Sequence, residues 1–461
     1  MDVLTEALLD GAGPAEIAKA ELPDEYLAAH LRAGDVGMFD GVSDKDVRKS
    51  LHVDRVPMPE LAPDEVVVAV MASSINYNTV WSATFEPIST FNFLERFGRE
   101  GGYAERHDLP YHVVGSDASG VIVRVGAGVR RWKPGDHVVV SCVQVDDQEP
   151  ATHADGMLGS AQRIWGYETN FGGLAHYTVV RASQLLSKPA HLTWEESAGV
   201  MLTAATSYRM LVSDNGARIK QGDIVLIWGA TGGLGAFAVQ LVKNAGGIPV
   251  GVVSSERKAG LLRALGCDVV INRNEIGLGG DDALTPERTI EMGKRLGRAI
   301  RAAVGEDPHV VFDFIGQATF GISVFVVRRG GVVVTCGSST GYQHQFDNRY
   351  LWMNLKRIVG SHAANLQEQW ECNRLVGLGS LSPVLSAVYP LAEVAEAARL
   401  VQQNKHTGKV GVLCLAPTEG LGVTDAEKRA ALGFERLNPL RADGMDTTSA
   451  RAKSQERAAS T

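Results

Sequence analysis

The stretch IVLIWGATGGLGAFAVQLVKNAGGIPVGVVSSERK, residues 224–258, decides the fold of this chain. It begins with an apolar run, and a glycine-rich turn follows. Residues 236–243 favour a helix, which Gly246 and Gly247 end, and residues 248–253 form a second apolar run. Strand, glycine turn, helix and strand in this order direct backbone N–H groups and a helix N-terminus towards a pyrophosphate. The stretch therefore predicts a dinucleotide-binding unit, because the glycine pattern lies between a strand and a helix.

The end of the second predicted strand indicates which dinucleotide binds. A unit specific for NAD usually ends that strand with Asp or Glu, which binds the ribose hydroxyls. Here the chain has Ser254, Arg257 and Lys258 instead, and these side chains can bind a 2′-phosphate that a carboxylate would repel. We therefore predict an NADP(H) site, with an ordinary solvated polar loop as the alternative. The candidate contacts within the glycine-rich turn are Gly232, Gly233, Leu234 and Gly235.

The bulk composition is that of an ordinary globular protein. The chain has 461 residues, of which 45% are hydrophobic and 21% charged, and this length suffices for two domains. Its net charge of −8 gives no electrostatic support for binding nucleic acid. No apolar run approaches the roughly 20 residues of a membrane span. We therefore expect neither a nucleic-acid nor a membrane partner.

The cysteines and the N-terminus predict a cytoplasmic protein. The five cysteines lie far apart and form neither a CxxC pair nor a disulfide framework. The N-terminal residues, MDVLTEALLDGAG, are acidic and lack the basic start of a signal peptide.

The rest of the chain predicts an α/β protein with two domains. Short apolar runs broken by Gly and Pro predict a barrel of short strands before the nucleotide unit. Strands at 268–271, 310–314 and 331–335 alternate with helices and predict a parallel doubly wound sheet. Residues 285–304 have helical spacing and many charges, which favours an inserted helix serving as an oligomer contact or a solvated cover. The predicted division is an N-terminal helical, polar extension at 1–45, a first domain at 46–210 and 361–430, a nucleotide-binding domain at 211–360, and a disordered tail at 431–461.

This arrangement resembles the medium-chain dehydrogenase/reductases, in which a GroES-like β-barrel domain accompanies a Rossmann domain. Zinc alcohol dehydrogenases of that superfamily carry a GHE segment with a metal-ligand His and a loop of four cysteines. The matching segment here is Gly115-Ser116-Asp117, and the cysteine loop is missing. Catalytic zinc needs about three protein ligands and structural zinc four. We therefore predict hydride transfer without a metal.

Separated segments narrow the resemblance to the crotonyl-CoA carboxylase/reductase family. They are SSINYNTVW at 73–81, WGYETNFGG at 165–173, DNRYLWMNLKRIVGSHAAN at 347–365 and the glycine-rich turn. Members of that family add hydride from NADPH to the β-carbon of a 2-enoyl-CoA, and the resulting enolate attacks CO2 to give an alkylmalonyl-CoA. The resemblance implies NADPH as cofactor, an enoyl-CoA and CO2 as substrates, and a homotetramer built as a dimer of dimers. Crotonyl-CoA, which would give ethylmalonyl-CoA, is the first choice, and longer enoyl-CoA thioesters that supply polyketide extender units are the alternative.

The resemblance also assigns catalytic roles to four residues. Asn78 would donate a hydrogen bond to one CO2 oxygen and stabilise the charge that develops there. Glu168 and His362 would bind the other oxygen through an ordered water. Tyr167 would shield the enolate from water, although its hydroxyl is itself a proton source. Without the family match, each of these residues is equally typical of a turn, a loop or a structural hydrogen bond.

Further residues are predicted to contact the nicotinamide and the CoA. Thr203 is expected near the nicotinamide by analogy with the family, and Cys336, Gly337 and Ser338 because ligands bind beyond the carboxyl ends of parallel strands. Arg349 and Tyr350 are candidates for CoA, since a guanidinium suits phosphate and a phenol ring can stack on adenine.

Other functions compete with reductive carboxylation. A plain NADPH-dependent enoyl-CoA or quinone reductase would take its proton from water and need no CO2 site. A non-catalytic NADPH-binding protein on the same fold is a third alternative. Residues 337–341 also fit the G-x-S-x-G pattern of hydrolases, but the sequence after them does not predict the helix that this motif requires.

Overall fold

The structure is a computed structural model that describes residues 3–278 and 285–441. The strands, in chain order, are β1 Glu25–Arg32, β2 His52–Pro57, β3 Glu65–Ile75, β4 Tyr111–Val113, β5 Ser119–Val125, β6 His137–Val140, β7 Val143–Gln144, β8 Arg163–Ile164, β9 Tyr177–Arg181, β10 Leu185–Ser187, β11 Ile224–Ile227, β12 Ile248–Val253, β13 Val269–Asn272, β14 Val310–Phe312, β15 Val332–Thr335, β16 Arg357–Gly360, β17 Leu385–Pro390 and β18 Lys409–Leu413. The α-helices are α1 Val3–Leu9, α2 Pro14–Lys19, α3 Tyr77–Thr84, α4 Thr90–Gly98, α5 Ala151–Ala154, α6 Trp194–Ala198, α7 Met201–Leu211, α8 Gly233–Asn244, α9 Glu256–Ala264, α10 Pro286–Val304, α11 Phe320–Val326, α12 Asn348–Trp352, α13 Leu366–Leu378, α14 Val394–Gln402, α15 Ala426–Leu432 and α16 Phe434–Leu437.

The dinucleotide-binding unit lies at the centre of a parallel sheet with strand order β13-β12-β11-β14-β15-β16. Each adjacent pair in this order is parallel. Successive side chains of β11 point to opposite faces, so Val225 and Ile227 join one apolar cluster while Ile224 and Leu226 join another. Helices cover both faces, as a parallel sheet requires. The predicted doubly wound parallel sheet is therefore confirmed.

A second sheet of mostly antiparallel strands forms the first domain, in the order β10-β6-β5-β3-β18-β17, with β9 also paired to β3. Every residue of the central strand β3 is buried. Strand β18 pairs with β3 through Val410 and Ile75, so the chain returns to this sheet after the parallel one. The predicted domain of short strands is thus present, while its limits at 46–210 and 361–430, and those of 211–360, stay predictions.

The N-terminal segment differs from the predicted helical surface extension. Helices α1 and α2 are present, but Leu4 and Ile17 are buried in the first-domain core. Residues 25–32 form strand β1, which pairs with β2 and β4. The sequence EYLAAHLR has good helix formers, and pairing with two neighbouring strands overrides that local preference. The prediction of a helical surface extension at 1–45 is therefore wrong in two respects: part of the segment is a strand, and part of it is buried in the core.

The described part of the predicted disordered tail is also ordered. Helix α16 covers residues 434–437, and both Leu437 and Leu440 are buried against the core beneath the parallel sheet. Two leucines among polar residues only weakly indicate an ordered segment in the sequence. Burying their apolar side chains offsets the conformational entropy that the segment loses when it is ordered. Residues 442–461 of the predicted tail lie outside the described residues.

Helix α10 confirms the helix predicted at residues 285–304 but not its role as an insertion. Its apolar residues Met292, Leu296 and Ile300 pack against one face of the parallel sheet. It is therefore a crossover helix between β13 and β14, as in any doubly wound sheet. Within the described ranges, no helix combines the length and apolar content needed to cross a bilayer.

Candidate active site

The glycine-rich turn leads from β11 directly into α8, whose N-cap is Gly232. A Cβ atom on Gly235 would lie 2.4 Å from the carbonyl oxygen of Gly229 and 2.6 Å from the Cα of Ala230. Only glycine therefore allows the helix to begin so close to the strand. The resulting helix N-terminus presents unpaired backbone N–H groups, which suit the pyrophosphate of a dinucleotide.

The residues after β12 and β13 form a basic cluster. Ser255 caps α9 by accepting a hydrogen bond from the Lys258 N–H. Burial lowers the pKa of Lys258, and the nearby guanidinium groups of Arg273 and Arg257 lower it further. Three cationic groups close together fit a doubly charged 2′-phosphate. Sequence reasoning missed Arg273, although it directly follows β13, whose carboxyl end meets that of β12 in the parallel sheet.

Thr203 and the loop after β15 lie where a nicotinamide is expected. The Oγ1 atom of Thr203 is buried and has no hydrogen-bond partner among the described residues. Its methyl group would lie 3.2 Å from a Cβ placed on Gly233, so α7 packs directly against the glycine-rich turn. In the loop after β15, a Cβ on Gly337 would meet no atom within 4 Å, so there is open space at this position. Burial raises the pKa of the neighbouring Cys336 thiol to about 12. A buried hydroxyl without a partner, packed against the glycine-rich turn, fits a polar group of a bound dinucleotide.

Ser338 does not have the surroundings of a hydrolase nucleophile. Its Oγ atom lies 2.8 Å from Nε2 of His344, but no helix follows it until α12 at Asn348. The Ser338 side chain instead packs against Gly316. With Tyr77, Trp81 and Tyr342 it lines a cavity of about 600 Å³ between α3 and the loop after β15. The structure thus agrees with rejecting the G-x-S-x-G motif.

Asn78 lies in the first turn of α3, at the edge of the first domain. Its Nδ2 atom donates a hydrogen bond to Oγ of Ser116 at 2.8 Å. Its Oδ1 atom is buried without a partner among the described residues. Ser116 is fully buried and occupies the position at which the GHE segment has its histidine. One Nδ2–H bond is therefore used to orient the amide, and the second remains able to donate to a ligand.

A buried ion pair holds the start of α3 in place. Asp117 accepts hydrogen bonds from Nδ2 of Asn76 at 2.7 Å and from Nζ of Lys409 at 3.0 Å. Both members of the ion pair are almost completely buried. Asp117 also accepts from the backbone N–H of Leu202 at 3.3 Å. This network joins the Asn78 helix to α7, which carries Thr203.

Tyr167 and Glu168 lie in the loop that follows β8. The Glu168 carboxylate accepts from the backbone N–H of Ile164 at 2.7 Å. Gly166 has a φ of 69°, and a Cβ there would lie 2.0 Å from the carbonyl oxygen of Gly115. This close approach packs the Glu168 loop against the segment containing Ser116, and so places it near Asn78.

His362 follows β16 and lies close to Glu168. Burial lowers the pKa of His362, the Glu168 carboxylate raises it and the Arg209 guanidinium lowers it. Tyr167 packs in one apolar cluster with Ala363 and Leu202, the neighbours of His362 and Thr203. Its pKa is raised to about 12 by burial and by Glu168 and Tyr342. These contacts link the loop of Tyr167 and Glu168 to the segments that carry Asn78, His362 and Thr203. We define Asn78, Tyr167, Glu168 and His362 as the Asn78 set.

Arg349 and Tyr350 lie elsewhere, on α12. Both line a cavity of about 580 Å³ together with residues of α10 and α11. The Tyr350 ring meets the Phe325 ring edge to face, with centroids 4.7 Å apart. The Arg349 guanidinium is paired with both carboxylate oxygens of Asp347 and is largely exposed. His344 also lines this cavity, so its hydrogen bond to Ser338 links this cavity to the one between α3 and the loop after β15.

Two family models match the chain. The alcohol dehydrogenase GroES-like domain matches residues 62–190, and the zinc-binding dehydrogenase model matches residues 233–376. Crotonyl-CoA reductase of Streptomyces avermitilis is 54% identical over 91% of this chain and 95% of its own length. Crotonyl-CoA carboxylase/reductase of Cereibacter sphaeroides is 41% identical over 81% of this chain and 86% of its own. This chain belongs to the crotonyl-CoA carboxylase/reductase family.

A solved structure supports the same assignment. A 2-octenoyl-CoA carboxylase reductase, solved with NADP and 2-octenoyl-CoA, is 66% identical, with a TM-score of 0.93 over 95% of this chain and 98% of its own. One matching family model is called zinc-binding, yet among residues 3–278 and 285–441 no three His, Cys, Asp or Glu side chains are grouped to hold a metal. At the position of the missing ligand, Ser116 orients Asn78 instead.

Besides Arg273, sequence reasoning missed three residues around the Asn78 set. Ser116 was noted only as a replaced metal ligand, although a hydroxyl there suggests a hydrogen bond to a nearby amide. Tyr342 had no signal, because it follows the glycine-rich segment at 337–341 in a loop without regular structure. Arg209 lies in a helix whose other buried residues are mostly small or apolar, and a buried arginine there implies acidic partners.

Proposed function

We propose that this protein catalyses the NADPH-dependent reductive carboxylation of a 2-enoyl-CoA with CO2. The observation that carries the proposal is the convergence of the Asn78 set beside Thr203. A simple reductase needs a hydride donor and any proton source, and has no use for a buried amide donor together with a histidine and a carboxylate that influence one another. Family membership supplies the reaction class and the geometry of these residues supports it.

The dinucleotide site fits NADPH. Helix α8 and its glycine-rich turn would hold the pyrophosphate, and Arg257, Lys258 and Arg273 the 2′-phosphate. Thr203, Cys336, Gly337 and Ser338 would surround the nicotinamide. Bound there, NADPH would supply the hydride that reduces the β-carbon of the thioester.

The chemical problem for the Asn78 set is competition at the α-carbon. The enolate formed by reduction reacts with any available proton, and water is far more abundant than CO2. Holding CO2 in attack position raises its effective concentration. The second N–H of the Asn78 amide can stabilise the charge that develops on one CO2 oxygen, while Glu168 and His362 bind the other through water.

The titration properties of the set disfavour proton transfer to the enolate. The Tyr167 hydroxyl, with its pKa raised to about 12, is a weaker acid than an ordinary phenol. Since the pKa of His362 is lowered, its imidazole is uncharged at neutral pH. Tyr167 also packs against the Phe93 ring, with centroids 5.8 Å apart, and this contact keeps its ring in the apolar wall of the site.

Crotonyl-CoA is the first substrate to test, because the Streptomyces avermitilis relative at 54% identity is by its name a crotonyl-CoA reductase. A longer enoyl-CoA is the second candidate, since the 2-octenoyl-CoA enzyme is more similar, at 66% identity. The CoA portion would bind along α12, with Tyr350 against the adenine and Arg349 released from Asp347 to a phosphate.

One experiment separates the proposed reaction from its alternatives. NADPH oxidation is followed with crotonyl-CoA and with 2-octenoyl-CoA, with and without bicarbonate, and the acyl-CoA products are identified by mass spectrometry. An alkylmalonyl-CoA formed only with bicarbonate supports the proposal, and the ratio of kcat/KM values decides the chain length. A saturated acyl-CoA formed at a rate independent of bicarbonate would leave a plain reductase, and tight NADPH binding without turnover would leave a non-catalytic protein.

We further propose that the protein is a homotetramer arranged as a dimer of dimers. Strand β16 is paired only with β15 in the described residues, so its other edge is open. The exposed apolar side chains next to that edge are Trp352, Met353, Leu355 and Ile358. An open edge with apolar neighbours is typical of an interface. Light scattering of the purified protein tests the tetramer, and Ile358→Lys is expected to reduce its mass to a smaller species.

The cysteines support the proposed cytoplasmic location. All five are free, and three of them are buried. Unpaired thiols are typical of a reducing compartment. Fractionation of producing cells tests this location.

A further inference from the structure

A buried ion cluster lies at the start of helix α13, just after His362 in the chain. The Arg209 guanidinium donates to both carboxylate oxygens of Asp155, at 3.1 and 2.6 Å, and to one oxygen of Glu368 at 2.8 Å. The three side chains are between 6% and 8% exposed. An arginine is rarely buried to this extent unless it is paired, because removing a charge from water costs on the order of several kcal/mol per ion.

The cluster fixes the segment that carries His362. Asn365 is the N-cap of α13, and its Nδ2 atom donates to Asp155 at 3.0 Å. Its backbone N–H donates to Glu368 at 2.8 Å, and Glu368 returns a backbone N–H to the Asn365 side chain at 2.9 Å. Between His362 and this cap, Ala363 has a φ of 43°, a left-handed conformation that a non-glycine residue adopts only when held.

The same cluster joins the three parts of the site. Asp155 lies in the connection between β7 and β8, and the Glu168 loop follows β8. Arg209 is in α7, the helix of Thr203. Glu368 is in α13, which follows His362. A substitution in the cluster is therefore expected to change the position or the protonation state of His362 without a direct contact with the substrate.

The charged groups that act on the His362 imidazole come from two elements. Burial is the largest cause that lowers the pKa of His362, the Glu168 carboxylate in the loop after β8 raises it, and the Arg209 guanidinium in α7 lowers it. Asp155 and Glu368 are paired with Arg209, and Glu168 also acts on the Tyr167 hydroxyl. Arg209 therefore adds to the effect of burial and opposes that of Glu168, which favours a charged imidazolium.

We propose that Arg209 is a positioning residue that keeps His362 uncharged and in place, so that the enolate is carboxylated and not protonated. An imidazolium would transfer its N–H proton to the α-carbon, and the electron pair of the enolate would form a C–H bond, giving the saturated acyl-CoA and a neutral imidazole. With a neutral imidazole the same electron pair forms a C–C bond to CO2, and the CO2 oxygens take the negative charge as a carboxylate. This inference rests on the proposed reductive carboxylation.

The test measures the ratio of carboxylated to reduced product between pH 6 and pH 8, at a fixed concentration of dissolved CO2. In Arg209→Gln the two carboxylates are left without their cation, and both favour an imidazolium. A higher pKa of His362 increases the imidazolium fraction near neutral pH, most strongly at the acidic end of this range. We expect the reduced fraction at pH 6.5 to rise about three- to tenfold over wild type, with a smaller rise at pH 8, and Arg209→Lys to recover most of the wild-type ratio.

Arg429→Gln is the matched control. Arg429 also makes two hydrogen bonds to one buried carboxylate, that of Glu196, at 2.7 and 3.0 Å. Neither residue touches the Asn78 set, so its loss is expected to change stability and leave the product ratio at every pH as in wild type. Near-UV circular dichroism and the Kd for NADPH show whether each variant has folded.

A second variant acts in the opposite direction and covers the case in which Arg209→Gln does not fold. Asp155→Asn keeps an acceptor for Arg209 and removes one negative charge behind it, so the imidazole is held more firmly uncharged. We expect its reduced fraction at pH 6 to fall below that of wild type. Folded variants whose product ratio matches wild type at every pH would overturn the role of Arg209, whereas wild type that forms no carboxylated product would overturn the proposed function itself.

Discussion

The glycine-rich turn and the Asn78 set are built in opposite ways. The turn takes its function from backbone geometry within residues 229–235, so that neighbouring residues fix one another. The Asn78 set is drawn from residues 78 to 362, and each of its four members has a partner from another element. The partners are Ser116 for Asn78, Phe93 for Tyr167, Ile164 for Glu168 and Arg209 for His362. The comparison teaches that binding of NADPH should tolerate changes in the Asn78 set, whereas the choice between carboxylation and protonation should not.

Asn78→Leu should separate the two regions most clearly. It removes the amide donors at nearly constant volume and leaves the nucleotide site intact. Removing one preorganised donor typically costs about 10²–10³ in rate, so the ratio of carboxylated to reduced product should fall by at least about a hundredfold. Product analysis by mass spectrometry checks this, with the Kd for NADPH unchanged.

Asn92→Leu is the control for Asn78→Leu, because Asn92 is an exposed asparagine on the nearby helix α4. It should leave both the product ratio and NADPH binding as they are. An Asn78→Leu protein that folds and keeps the wild-type ratio would remove Asn78 from the carboxylation mechanism.

Gly235→Ala should damage the nucleotide site and leave the Asn78 set alone. The added methyl group would overlap the Gly229 carbonyl oxygen, and overpacking of this kind costs about 1–3 kcal/mol. We expect the Kd values for NADPH and NADH to rise together, by about thirtyfold, with the product ratio at saturating NADPH unchanged. Gly260→Ala in the adjacent helix α9 has no atom within 4 Å of its new methyl group and should bind both coenzymes normally. Normal binding by Gly235→Ala would show that the turn is not built as described.

Replacing Arg257 and Lys258 together by alanine should change coenzyme selectivity without changing the turn. A charge-assisted hydrogen bond is worth about 1.5–3 kcal/mol, so the Kd for NADPH should rise about ten- to a hundredfold while that for NADH stays constant. Fluorescence titration with both coenzymes measures this difference. Arg263→Ala, on the same helix but paired with Glu256, should have no effect. Equal losses for NADPH and NADH would place 2′-phosphate recognition elsewhere.

Ser116→Ala should have the smallest effect of these changes. It removes the acceptor that orients the Asn78 amide and keeps the amide itself. A single hydrogen bond contributes about 1 kcal/mol, so the product ratio should fall about fivefold. Ser116→Thr retains the hydroxyl and should restore most of the ratio. If Ser116→Ala lowered the ratio as much as Asn78→Leu, the serine would be doing more than orienting the amide.

The same contrast explains what could be predicted from the sequence. The turn, both flanking strands and α10 follow from local apolar periodicity and glycine positions, which act over a few residues. Strand β1 could not be predicted, because EYLAAHLR becomes a strand only through pairing with β2 and β4. The positions of the Asn78 set came from resemblance, since no spacing in one sequence relates residue 78 to residue 362. An arginine in the apolar helix α7 implies acidic partners, but which carboxylates pair with Arg209 could not be predicted, because Asp155 and Glu368 are far from it along the chain.

The most direct test of the account follows carbon from labelled bicarbonate into product. The enzyme is supplied with NADPH, ¹³C-bicarbonate and either crotonyl-CoA or 2-octenoyl-CoA, and the label in the acyl chain is compared with the NADPH consumed. If the Asn78 set directs the enolate to CO2, close to one labelled carboxyl group should appear for each NADPH oxidised. Full oxidation of NADPH with no label in the acyl chain would contradict the account.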